Sequence, residues 1–176
     1  MKHVSRMNSR GQGGGITVFA VCSAFLLLGA AAGCFSGSHT GNLDVSWSEE
    51  ARSFGEYLAM NLIAVVTALV LGSSCIGFFL LPVFSAAAGF ICAFVMTAAT
   101  LIGGWSAAFV HCGWFIALAL PMFTVLCTCA MRASVAAFRT IAAGARPEPD
   151  ALNCFVKVLM ISIVLAIMLA VAAAAV

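Results

Sequence analysis

From Tyr57 to Met131 the chain carries no Asp, Glu, Lys or Arg. A helix rises about 1.5 Å per residue, so the block could extend roughly 110 Å, enough for about three crossings of a hydrocarbon layer about 30 Å thick. A soluble core has no need of so long an uncharged run. Composition points the same way: hydrophobic residues make up 64% of the chain and charged residues 8%, against about a quarter charged in soluble domains. The fold class expected is all-α, a polytopic membrane helical bundle of about five transmembrane helices. A basic segment, 1–15, precedes a single membrane domain, 16–176.

Breaks inside the uncharged block set the spans. Pro82 follows the apolar run Phe78-Phe79-Leu80-Leu81, and Gly103-Gly104-Trp105 follows Thr97–Ile102; both are places where a helix can end or turn. The expected spans are 16–35, 58–81, 82–102, 106–131 and 155–176, each near the roughly 20 residues a crossing needs. Lys157 lies at the edge of the last, where its amine can snorkel to the headgroups. Gly29-x-x-x-Gly33 in the first span is a spacing that allows close helix approach, although it arises easily by chance in an Ala-rich segment. The same segment has a rival reading. Basic residues, Val18–Leu28 and then Ala31-Ala32-Gly33-Cys34 are similar to a lipoprotein-type signal cleaved before Cys34. Four further spans need no cleavable signal, so retention is expected.

Charge placement gives orientation. Lys2, Arg6 and Arg10 precede the first span without an acid, whereas residues 36–56 hold Asp44, Glu49, Glu50 and Glu56 against Arg52 alone. Arg132, Arg139, Arg146 and Lys157 cluster between the fourth and fifth spans, with Glu148 and Asp150. By the positive-inside rule both basic regions are cytoplasmic, which places the N-terminus inside, the C-terminus outside, and makes the number of crossings odd. The net charge of +2 reflects topology and does not imply a nucleic-acid partner.

Few residues offer chemistry. Ser36–Asn42 reads as a flexible turn, and Ser46-Trp47-Ser48-Glu49 fits a capping box opening a helix ahead of the second span. Arg132, Arg139 and Arg146 are spaced by seven and share one helical stripe, drifting about 20° per step. They could contact acidic lipid headgroups or a partner, but anchoring the end of a span is the simpler role. The eight cysteines include no C-x-x-C and read as small hydrophobes. His111 is the one ionisable side chain inside the uncharged block, and a neutral His bonded to a neighbouring helix is favoured over a proton relay. There is no nucleophile beside a base, no carboxylate pair and no phosphate loop, so neither an enzyme nor a cofactor or metal is expected.

The run Phe54, Tyr57-Leu58, Asn61-Leu62, Gly72, Ile76-Gly77, Leu80-Leu81-Pro82 and Gly89-Phe90 resembles the core of the stage II sporulation protein M family. Gly103-Gly104 and Leu118-Ala119-Leu120-Pro121 are similar to the family's later Gly and Leu-Pro region, and the chain departs from the pattern at Ala88 and Met122. The resemblance implies a non-enzymatic scaffold of the bacterial cytoplasmic membrane, located at the sporulation septum. There it would recruit peptidoglycan-degrading enzymes of the stage II sporulation D and P families during forespore engulfment. Asn61, Gly72, Gly77, Pro82, Gly89, Gly103, Gly104 and Pro121 would then serve packing and turns. Glu49, Glu50, Glu56, Arg132, Arg139 and Arg146 would face partners or membrane lipids. The alternative is a small-molecule transporter or its substrate-binding membrane subunit, with Asn61, Thr67, His111 and Thr124 lining a path.

Overall fold

A computed structural model describes residues 4–39, 54–109, 113–144 and 149–174. The described residues form five α-helices and no strand: α1 (Val4–His39), α2 (Phe54–Ser73), α3 (Gly77–Ala108), α4 (Trp114–Ala143) and α5 (Pro149–Ala174). Four of them contain stretches long and apolar enough to cross a membrane: Gly15–His39, Gly77–Leu101, Ile116–Ala142 and Pro149–Val171. At most 33% of each such stretch is buried inside the bundle, leaving Ile16, Phe79, Ile91, Leu118, Ile161 and Val164 among many large apolar side chains on the outside. Apolar surface on that scale is what lipid covers. The chain is an all-helical membrane protein.

The helix boundaries correct the expected spans in four places. The break between the second and third helices falls at Ser74–Ile76, and Pro82 lies buried inside α3 instead of at a turn. Ser73 and Ser74 turn their hydroxyls back onto Val70 O and Leu71 O, at 3.0 Å each. Such local bonds compete with helix continuation. Gly77 then lets the chain fold back against Leu71, where an added Cβ would lie 2.6 Å from the Leu71 carbonyl carbon. Pro82 is compatible with helical φ, and its missing N–H costs one bond near the start of α3. Second, the Ser36–His39 part of the expected loop is helical. Ser38 Oγ donates to Phe35 O at 2.7 Å, and the Phe35 and His39 rings lie 4.6 Å apart. Third, α4 begins at Trp114 instead of Ser106 and runs through Pro121 to Ala143. Fourth, α5 opens at Pro149 instead of Phe155, and its apolar stretch ends at Val171.

The expected Gly103-Gly104 break is present in the backbone: Gly104 has φ 76° and ψ 173°, outside the helical region, within the last part of α3. Gly144, with φ 59°, ends α4 in the left-handed conformation, the usual glycine stop. The capping box at Ser46–Glu49, His111 and Arg146–Glu148 lie outside the described residues.

The core collects where α4 crosses the other helices. Val65 and Ala68 of α2, Leu81 of α3, Phe123, Leu126, Cys127 and Ala130 of α4, and Phe155 of α5 pack as one cluster. Phe84 of α3 meets Phe123 of α4 edge-on, with ring centroids 5.2 Å apart.

Candidate functional site

Among the described residues the features most developed are the helix contacts and the charged end of the bundle. The most extensive contact joins α1 and α3. Gly29, Gly33 and Gly37 recur every four residues along α1 and form one stripe. An added Cβ at Gly29 would lie 2.6 Å from the Ala86 carbonyl carbon, at Gly33 3.0 Å from that of Phe90, and at Gly37 2.9 Å from Thr97 Cβ. From the other side, a Cβ at Gly89 of α3 would lie 3.0 Å from the Leu26 carbonyl carbon. The two backbones therefore touch with no side chain between them. Glycine Cα–H groups face carbonyl oxygens across the seam, a weakly attractive arrangement that recurs between closely packed helices.

The seam fixes direction as well as distance. Cys22 pairs with Ser85, Gly33 with Phe90 and Gly37 with Thr97, so both helices advance the same way. Ser85, fully buried, donates its hydroxyl to Cys22 O at 3.0 Å. Helix α4 runs opposite to α3, because Phe138 lies beside Phe78 while Phe123 lies beside Phe84.

A second close contact joins α2, α4 and α5. A Cβ added to Gly72 would come 2.8 Å from Phe155 Cζ and 2.9 Å from Ala130 Cβ. Beside it, buried Ser134 of α4 donates to Ser74 O at 2.6 Å, tying the α2–α3 turn to α4. Ser134→Ala should remove the inter-helix bond, leaving Ser74 O with only the Gly77 N–H at 3.3 Å, and lower stability by about 1 kcal/mol. Thermal unfolding in detergent should show the loss, and Thr140→Ala, whose hydroxyl bonds only its own helix at Ala136 O, should have a smaller effect.

At the other end of the functional expectations, Arg132 and Arg139 are exposed on α4, and Lys157 is exposed on α5. Arg132 reaches the start of the apolar part of α1, where its guanidinium faces Gly15. This places the beginning of α1 and the end of α4 at the same end of the bundle. Arg146, Glu49 and Glu50 lie outside the described residues; Glu56 belongs to the first turn of α2.

The sequence-selected residues thus fall into separate groups. Gly72 and Gly77 meet α4, Gly89 meets α1, and Asn61 is half-buried on α2. Pro82 and Pro121 are both inside helices, one buried and one exposed. Thr67 and Thr124 bond to the carbonyls of Ile63 and Leu120 in their own helices, at 2.7 and 2.8 Å. The stripe Gly29, Gly33, Gly37 is visible in the sequence as a glycine every fourth residue, one repeat beyond the Gly29-x-x-x-Gly33 spacing. Gly144 was equally legible as a glycine followed closely by Pro147.

No family model, no curated protein and no solved structure matches the chain. The fold defines its class, a helical membrane bundle.

Proposed function

We propose that this chain is a five-span scaffold of the bacterial cytoplasmic membrane, N-terminus inside and C-terminus outside. By resemblance to stage II sporulation protein M, it holds wall-remodelling enzymes of the D and P families at the septum during engulfment. The observation that carries the scaffold reading is the use of the bundle's polar groups. Ser85 and Ser134 close inter-helix contacts, and Thr67, Thr124, Thr128 and Thr140 bond within their own helices. Hydroxyls engaged in this way hold helices together; among the described residues the buried Ser162 hydroxyl of α5 is the exception, with no hydrogen-bond partner.

The crossing count has its own support. Parallel α1 and α3 can both span only if the chain returns between them, and the 20 residues of α2 supply about 30 Å for that return. The basic ends of α1 and α4 then share the inner face.

The functional test is recovery of D and P family hydrolases with the tagged protein from sporulating cells. Reversing Glu49, Glu50 and Glu56 to Lys should lower recovery by about tenfold, equivalent to about 1.4 kcal/mol, if the outer segment docks partners by charge. His111→Ala should leave recovery and sporulation unchanged at equal protein level. Loss of function with His111→Ala, together with indifference to the charge reversal, would favour a transporter and overturn the scaffold.

A further inference from the structure

The cysteines do not all behave as isolated small hydrophobes. Cys129 of α4 and Cys154 of α5 approach with their sulfurs 3.7 Å apart. Cys129 is 8% exposed, and Cys154 is partly open to the bundle surface. We propose that this pair is a two-coordinate site for a soft metal ion of the monovalent copper class. The inference goes beyond the scaffold reading and does not depend on it.

Geometry and ligand chemistry favour such an ion. Zinc–thiolate bonds are about 2.3 Å, and with bonds of that length a linear sulfur–metal–sulfur unit spans at most roughly 4.6 Å. The two thiols need to part by about 1 Å, within reach of side-chain rotation. A disulfide, with sulfurs about 2.05 Å apart, needs a larger movement in the opposite direction. Among the described residues no group of three or more His, Cys, Asp or Glu side chains is placed to hold a metal, which disfavours the four ligands zinc takes. Paired thiolates select soft monovalent copper.

Charge also balances. Binding displaces one proton from each thiol to solvent, and two thiolates around a monovalent ion leave a net charge of −1. An unpaired charge at the edge of the hydrocarbon is costly. Arg132, one helical turn beyond Cys129, acts electrostatically on that cysteine and offsets the residual charge. Partly exposed Cys154 provides the side from which an ion enters.

Full-length protein purified in detergent under reducing conditions should bind one Cu(I) ion at this pair, measured by competition with a chromogenic Cu(I) chelator. Cys129→Ser and Cys154→Ser should each weaken binding about a hundredfold or more. Cys92→Ser should not change it, and Arg132→Gln should weaken it about tenfold. Should the serine variants fail to fold, X-ray absorption of the loaded wild-type protein decides by itself, with two sulfur neighbours and no nitrogen or oxygen ligand expected. Wild-type affinity in the folded Cys129→Ser and Cys154→Ser proteins, or a coordination shell of three or more ligands, would overturn the site.

Discussion

Gly15→Ala and Gly29→Ala add the same methyl group to the same helix, and they should change stability in opposite directions. At Gly15 the new Cβ would sit 3.7 Å from the Arg132 guanidinium, an ordinary contact. Alanine there removes backbone freedom from the unfolded chain and should stabilise by about 0.5–1 kcal/mol. At Gly29 the methyl would drive into the backbone of Ala86, which cannot swing aside as a side chain can. The helices must separate along the whole seam, losing dispersion contacts on both sides and stretching the Ser85 hydrogen bond to Cys22 O. The expected cost is about 3 kcal/mol or more. Gly33→Ala and Gly89→Ala should follow Gly29, because each faces backbone across the same seam. Unfolding in mixed detergent micelles, read by a probe on α3, would show the difference. Equal tolerance at Gly15, Gly29 and Gly89 would mean that α1 and α3 do not pack as described.

The membrane class was legible because hydrophobicity over long windows is a strong signal that tertiary packing does not reverse. The placement of helix breaks was harder to read. Pro82 is the conventional breaker, yet the chain turns at Ser74–Ile76, where serine hydroxyls bond locally and Gly77 tolerates backbone contact. In a low-polarity setting, satisfaction of backbone groups decides such turns: Ser74 O accepts the Gly77 N–H and also the Ser134 hydroxyl from a helix far along the sequence. At Gly103-Gly104 the interruption is a kink within α3 and not the boundary between spans, and glycine accommodates the φ of 76° at Gly104 without strain.

The candidate contacts divide in the same way. Gly72 and Gly89 were selectable from sequence as small residues in apolar helices, but which helices they would touch was not. The Gly29 spacing alone could not distinguish a contact within the chain from one between chains, since both use the same small-residue logic. The Cys129–Cys154 approach had no sequence signal at all. The two cysteines lie on different helices, and only the antiparallel docking of α4 and α5 brings them together.

We infer that α1 to α5 form five alternating crossings, which makes the sidedness of each connection definite. Helices α1 and α3 are parallel, α4 opposes α3, and the guanidinium of Arg132 stands beside Gly15 at the start of the apolar part of α1. If α2 returns across the membrane, residue 41 and the end of the chain lie outside while residue 147 lies inside with the arginines. The effect is close to all-or-none, because a polar reporter domain does not exchange between sides of a bilayer. Fusion of a reporter active only outside the cytoplasm at Gly41, at Pro147 and after Val176 is the most direct measurement. Activity at Gly41 and Val176 with silence at Pro147 is the predicted result; activity at Pro147, or silence after Val176, would contradict the five-span bundle.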